Sequence, residues 1–205
     1  MQDEEKAMRI VFVGDSLTVG VGDPQYLGWP GRLCAASPAA GLGLTLYNLG
    51  VRSETSLHIK TRIGRELPPR LLPRDEARVV LSFGVNDVKI ENGRRKVELA
   101  DSVDNLFDIV SRVAALCPVL VVGPPPVLDD AYRGRVEELS DVFAGTCSEM
   151  GVAYLEMCRP LCRERAYLDS LVAAGDGCHP GAEGYVAFAG RVAAWDAWLA
   201  WFVLA

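Results

Sequence analysis

Apolar residues in this chain follow two spacings that alternate along its length. Short, β-prone apolar runs occupy residues 9–13, 45–49, 78–83, 119–122 and 152–155. Ile10-Val11-Phe12-Val13 and Val119-Leu120-Val121-Val122 are continuous rather than alternating, the pattern of strands buried on both faces. Between the runs, apolar positions recur at three- and four-residue steps. Leu99, Val103, Leu106, Ile109, Val110, Val113 and Leu116 make the clearest stripe, ending before Pro118, and predict an amphipathic helix. Val136, Leu139, Val142, Phe143 and Met150 mark another, and a last helix is expected from about Ala182 to the C-terminus. Strands alternating with helices predict right-handed βαβ units and an α/β fold with one parallel sheet covered on both faces. Ligands of such sheets bind beyond the carboxyl ends of the strands. Small and polar residues collect there: GDSLT after the first run, NLGVRSETS after the second, FGVND after the third and GPPP after the fourth.

Composition narrows the class. The chain has 205 residues, 50% of them apolar, which suits a single domain over 1–205, with 1–7 expected as a flexible extension. Asp and Glu number 27 against 21 Lys and Arg, with no basic cluster, so nucleic acid is not an expected partner. Arg62, Arg65, Arg94, Arg95 and Lys96 read as solvated surface. The opening MQDEEKAM is acidic where a secretory leader is basic, and no apolar run is long enough to span a membrane. The expected location is the cytoplasm, unless a leader was removed. The six cysteines include no C-x-x-C and read as small buried side chains. Cys158 and Cys162 can share a helix face, but two thiols do not make a zinc site.

The candidate chemistry begins at Ser16. Gly20-Val21-Gly22 lacks the third glycine of a dinucleotide fingerprint, no Gly-Lys-Ser/Thr phosphate loop follows, and Thr18 breaks the G-x-S-x-G elbow. Gly14 is expected to permit a sharp turn and Asp15 to tie that turn down through backbone hydrogen bonds. A serine nucleophile needs a base, and the chain has two histidines. His58 lies in a surface-helix pattern. His179 follows Asp176 by three residues on a glycine-containing loop, where a carboxylate can fix the imidazole tautomer and leave Nε2 free. Cys178, next to His179, is a weaker rival nucleophile. Acyl transfer also needs donors for an oxyanion, and the N–H of Ser16, Gly50 and the Asn86 amide are the candidates.

These stretches resemble the SGNH hydrolases, the GDSL esterase/lipase family. Gly14-Asp15-Ser16-Leu17, followed by Gly20, matches the first block, Gly50 the second, Gly84-Val85-Asn86-Asp87 the third and Asp176-Gly177-Cys178-His179-Pro180 the last. The resemblance implies a three-layer α/β/α sandwich on a five-stranded parallel, flavodoxin-like sheet. It implies Ser16 as nucleophile, His179 as base, Asp176 as its partner, and Ser16, Gly50 and Asn86 as oxyanion donors, with no metal or cofactor. The expected activity is hydrolysis of short-chain or acetyl esters of small molecules through an acyl-enzyme. The alternatives are deacetylation of O-acetylated sugars or related small molecules, and a doubly wound binding module without turnover. Pocket walls are expected from 26–30, 124–132 and 167–176. Trp29, Leu128 and Leu171 are candidates to line the pocket, though each reads equally as core. No long lid insertion is visible. Trp195, Trp198 and Trp201, with Phe202, read either as a helix face packed on the sheet or as an exposed strip that pairs subunits into a homo-oligomer or touches lipid.

Overall fold

The computed structural model describes residues 8–37, 43–71 and 76–202, and the extension expected over 1–7 lies outside them. Strand β1 (Met8–Gly14) runs into the one-turn helix α1 (Ser16–Val19), followed by α2 (Gly28–Ala35). Strand β2 (Thr45–Gly50) leads to α3 (Ser56–Glu66). Strand β3 (Glu76–Ser82) is followed by a small hairpin, β4 (Ile90–Glu91) with β5 (Arg94–Arg95), and then by α4 (Leu99–Ala114). Strand β6 (Val119–Val122) leads to α5 (Asp130–Glu149), and β7 (Tyr154–Leu155) leads to α6 (Cys158–Leu161), α7 (Arg165–Ala174), α8 (Ala182–Ala193) and α9 (Asp196–Leu199). The main sheet has five parallel strands in the order β2-β1-β3-β6-β7, the expected flavodoxin-like α/β arrangement.

The continuous apolar runs have their physical reason in this layering. Along β1, Ile10 and Phe12 join a core with Trp29, Phe188 and Trp198, while Val11 and Val13 join another with Ile59, Ile109 and Phe143. Successive side chains of a strand point to opposite faces, so a strand covered on both sides must be apolar at every position. Register then aligns the ends that matter: Gly14 sits opposite Gly50 on one side and Ser82 on the other, so three loops leave the sheet at one level.

Four local readings are corrected. The α4 stripe ends at Ala114, and Leu116 lies beyond the helix with 60% of its surface exposed. The β4–β5 hairpin adds an element to the predicted order, and Asn92 and Gly93 at its turn both have positive φ (52° and 78°), as a two-residue Asn-Gly turn requires. The last helix is broken between α8 and α9. Its Trp198 is buried against Phe12, and Trp195, Trp201 and Phe202 pack partly buried on the same core, so the tryptophans face the sheet. Among the described residues no helix is long and apolar enough to cross a membrane.

Arg62 is the fourth correction. It is not solvated surface: its side chain is 15% exposed. Nη2 donates to Leu49 O at 2.7 Å and Gly14 O at 3.1 Å, Nε to Glu54 at 2.6 Å and Nη1 to Glu66 at 2.6 Å. One guanidinium thus ties together the ends of β1 and β2 and the loop that follows. Arg62→Ala is expected to lower the unfolding free energy by about 2–4 kcal/mol in a urea titration, because two strand-end carbonyls and the carboxylates of Glu54 and Glu66 lose their shared donor. A loss below about 1 kcal/mol would put Arg62 back among ordinary surface arginines.

Candidate active site

Ser16 opens α1 directly at the end of β1. Asp15 caps that helix, its Oδ1 accepting the Leu17 N–H at 2.9 Å, and Gly20 closes it in the left-handed region at φ 88°. The demand for glycine at position 14 is one of space. A Cβ there would lie 2.0 Å from Ser82 O and 2.1 Å from Thr18 Oγ1, and the Thr18 hydroxyl already donates to that carbonyl at 3.0 Å. The backbone N–H of Ser16 takes no partner among the described residues.

His179 arrives from the other end of the chain, on the loop between α7 and α8. Asp176 Oδ1 accepts the N–H groups of Cys178 and His179, both at 2.9 Å, which curls the loop around the carboxylate. Asp176 Oδ2 lies 2.6 Å from His179 Nδ1, and His179 Nε2 lies 2.8 Å from Ser16 Oγ. Partial burial pushes the Asp176 carboxyl up, but the His179 and Cys178 N–H groups and the imidazole outweigh it and bring it to about 2. It therefore stays ionised where it can hold a charged imidazole. Burial pushes the Cys178 thiol up to about 12, so it is neutral at working pH.

Asn86 stands on the turn after β3. Its Nδ2 donates to Glu54 O at 2.9 Å and lies 3.5 Å from Asp15 Oδ2. The fully buried Asp87 anchors this turn: its Oδ1 accepts the N–H of Ser56 at the start of α3, and the Ser56 hydroxyl accepts from Asn105 Nδ2. Burial raises Asp87. Burial also raises Asp15, to about 7, with the neighbouring Asp87 and Glu54 charges adding to it and the Leu17 N–H opposing it.

Ser16, Asn86, Asp176 and His179 line one cleft of about 330 Å³. Leu17, Val85 and Val127 form a buried apolar patch among its walls, with Tyr132 and Cys178 packed against it, and Arg52, Ser53, Lys89 and Asp129 add polar and charged groups. Gly50 is not among the lining residues. Its N–H donates to Asn48 Oδ1 at 3.0 Å, and a Cβ there would lie 2.3 Å from Val19 N, so this glycine serves the close approach of β2 to α1. Three residues on, Ser53 does line the cleft; it carries φ 64°, a left-handed conformation uncommon outside glycine, and its N–H has no partner among the described residues. The pocket-wall candidates are corrected as well. Trp29 and Leu171 are fully buried in the core, Trp29 stacked on Phe188, and Leu128 packs behind Gly177. His58 stays at the start of α3, where its Nδ1 accepts the Thr55 N–H at 3.1 Å.

Glu137, Cys158 and Cys162 bring ligand atoms within 4.8 Å of one another, the one such group among the described residues. Arg133, Arg159 and Arg163 share the depression beside Glu137 and Cys162, which opposes a cation there. Burial raises the Cys158 thiol, so it would have to lose a tightly held proton to bind a metal.

The model of the GDSL-like lipase/acylhydrolase family matches residues 12–187. Among curated proteins no sequence matches the chain. Among solved structures, an acetylxylan esterase from Geobacillus stearothermophilus, in the form of a catalytic mutant, is similar with a TM-score of 0.73 at 18% identity, over 91% of this chain and 92% of that one. A lipase/acylhydrolase from Enterococcus faecalis is similar with a TM-score of 0.72 at 22% identity, over 91% and 93%. At those identities the structures speak for the fold, whereas the family match covers most of the chain. The protein belongs to the GDSL-like lipase/acylhydrolase family and is a carboxylic ester hydrolase.

Proposed function

We propose that the protein removes acetyl groups from O-acetylated sugars or closely related polar molecules, with Ser16 as nucleophile. The observation that carries this reading is the unbroken chain of contacts from Asp176 through His179 to the Ser16 hydroxyl, at 2.6 and 2.8 Å. Ser16 Oγ attacks the ester carbonyl as Nε2 takes its proton, and the Asp176 carboxylate stabilises the imidazolium. The oxyanion is held by the Ser16 N–H, the Asn86 amide and the Ser53 N–H, which replaces Gly50 as third donor. The imidazolium gives its proton to the departing sugar oxygen, which leaves as a hydroxyl. Water, deprotonated by the same imidazole, then attacks the acyl carbon; the bond to Ser16 Oγ breaks, Oγ takes the proton back from the imidazolium, and acetate leaves. No step calls on a metal or cofactor.

Two features favour a sugar acetate over a lipid ester. The apolar patch of Leu17, Val85 and Val127, with Tyr132 and Cys178 packed against it, suits the acyl group, and Arg52, Ser53, Lys89 and Asp129 offer charged and hydroxyl-bearing partners for a polyol. The acetylxylan esterase supplies the second: its catalytic mutants replace a serine, a histidine and an aspartate three positions before that histidine, the spacing of Asp176 and His179 here. The test sets acetylated xylosides beside p-nitrophenyl esters of rising chain length. Acetate release from the sugars and a steep fall beyond butyrate are expected; faster turnover of octanoyl or longer esters would sink the reading. Cys178→Ser is expected to keep activity within a few-fold in the same assay, since a thiol held near 12 is a poor nucleophile at neutral pH. Inactivity of a folded Cys178→Ser protein would reopen the cysteine alternative.

A further inference from the structure

We infer that Arg52 and Lys89 form an anion subsite at the cleft, so that the preferred ester carries a negative charge on its alcohol portion, as an acetylated uronic acid or sugar phosphate does. Both side chains line the cleft that holds Ser16 and His179, and both residues are exposed. Neither takes part in an ion pair or side-chain hydrogen bond among the described residues. Elsewhere Lys60, Arg62, Arg78, Arg95 and Arg159 are each paired with a carboxylate. The acids that share the cleft already have partners within the fold. Asp129 Oδ1 caps α5 by accepting the Tyr132 N–H at 2.7 Å, and Asp176 accepts from Cys178 and His179. Two cations are therefore free to meet a ligand in a chain whose net charge is −6. Lys89 is close enough for its charge to be felt at the Cys178 thiol, next to His179. Arg52 precedes Ser53, whose left-handed φ of 64° fixes the course of the loop at this point.

This inference rests on the acetyl-ester reading above. An acetyl group has no place for a charge, so the charge must lie on the alcohol. Guanidinium and ammonium groups facing a carboxylate or phosphate make charge-assisted hydrogen bonds, and free cations beside a cleft also attract anions from solution. Both effects weaken as salt shortens the Debye length.

The experiment compares kcat/KM for three acetylated substrates: a neutral methyl glucoside, a methyl glucuronide and a sugar phosphate. The wild-type protein is expected to prefer at least one charged substrate by about tenfold or more at 50 mM salt, and by less at 500 mM. The carboxylate and phosphate arms show which anion is recognised. Arg52→Glu and Lys89→Glu, both at exposed positions, are expected to bring the charged-to-neutral ratio to one or below. Equal turnover of charged and neutral substrates, or a ratio indifferent to both reversals, overturns the anion subsite and leaves the acetyl-ester reading standing. Failure of all three sugars in a protein that hydrolyses p-nitrophenyl acetate overturns the sugar reading and this inference with it.

Discussion

Ser16→Ala and His179→Ala should each lower kcat by about 10,000-fold or more, with KM changed far less. The size follows from the chemistry: a neutral hydroxyl without a base attacks esters poorly, and a base without a nucleophile has no acyl acceptor. The double variant should be no worse than either single one, because groups that act as a unit lose their joint effect at the first deletion. Additive losses would show that the two side chains act independently. Asp176, held at about 2, stays ionised through the neutral range, so its charge on the imidazole is constant there. Asp15, raised to about 7 by burial, changes charge within that range, and comparing the kcat/KM profile of Asp15→Asn with the wild type shows whether that change reaches the reaction. The sign of its effect on stability is opposite to that of Asp176. With the folded value raised from 3.8 to about 7, the folded state holds the extra proton, and stability declines as pH rises between those values. Asp176, lowered from 3.8 to about 2, adds stability above the unfolded value that is lost as pH falls through the folded one.

Asn86→Ala should cost on the order of 100- to 1,000-fold in kcat, the scale of one lost oxyanion donor. The amide is not free to wander. One face of it is held by Glu54 O at 2.9 Å, and Asp87 pins the turn beneath it to the start of α3. Asn86→Asp should be worse than Asn86→Ala, because it exchanges a donor for a carboxylate that repels the developing charge. Near-wild-type turnover in Asn86→Ala would remove Asn86 from the site. A crystal structure of a phosphonate adduct would complete the assignment: its oxygen should lie within hydrogen-bond distance of Ser16 N, Ser53 N and Asn86 Nδ2, and away from Gly50 N.

The features legible in the sequence were those whose cause is local or repeats along the chain. Strands buried on both faces must be apolar at every position, and the helix stripes must recur every three or four residues, so the sheet and its main helices could be read off. Asp176 and His179 are three residues apart, so their pairing was visible as spacing. Ser16 and His179 are 163 positions apart, and only the rule that sites gather at strand ends joined them. The misreadings share a different origin. Gly50 looked like the oxyanion glycine because glycine is the usual marker of unusual backbone, yet here the left-handed residue facing the cleft is a serine. Arg62 looked like surface because its partners, the carbonyls of Gly14 and Leu49, are 48 and 13 positions away and leave no trace in its own neighbourhood. Trp29 and Leu171 were ambiguous from the start, because a large apolar residue near a strand end suits a pocket wall and a core equally well. The Asn92-Gly93 turn, by contrast, has a local cause, since an Asn-Gly pair is suited to the two positive φ values it takes here.

The most direct test of the account is covalent labelling with a phosphonate that reacts only with activated serines, followed by intact mass and peptide mapping. The account predicts a single adduct on Ser16, absent from Ser16→Ala and formed far more slowly in His179→Ala. An active preparation that acquires no adduct, or acquires it on another residue while Ser16 stays unmodified, would contradict it.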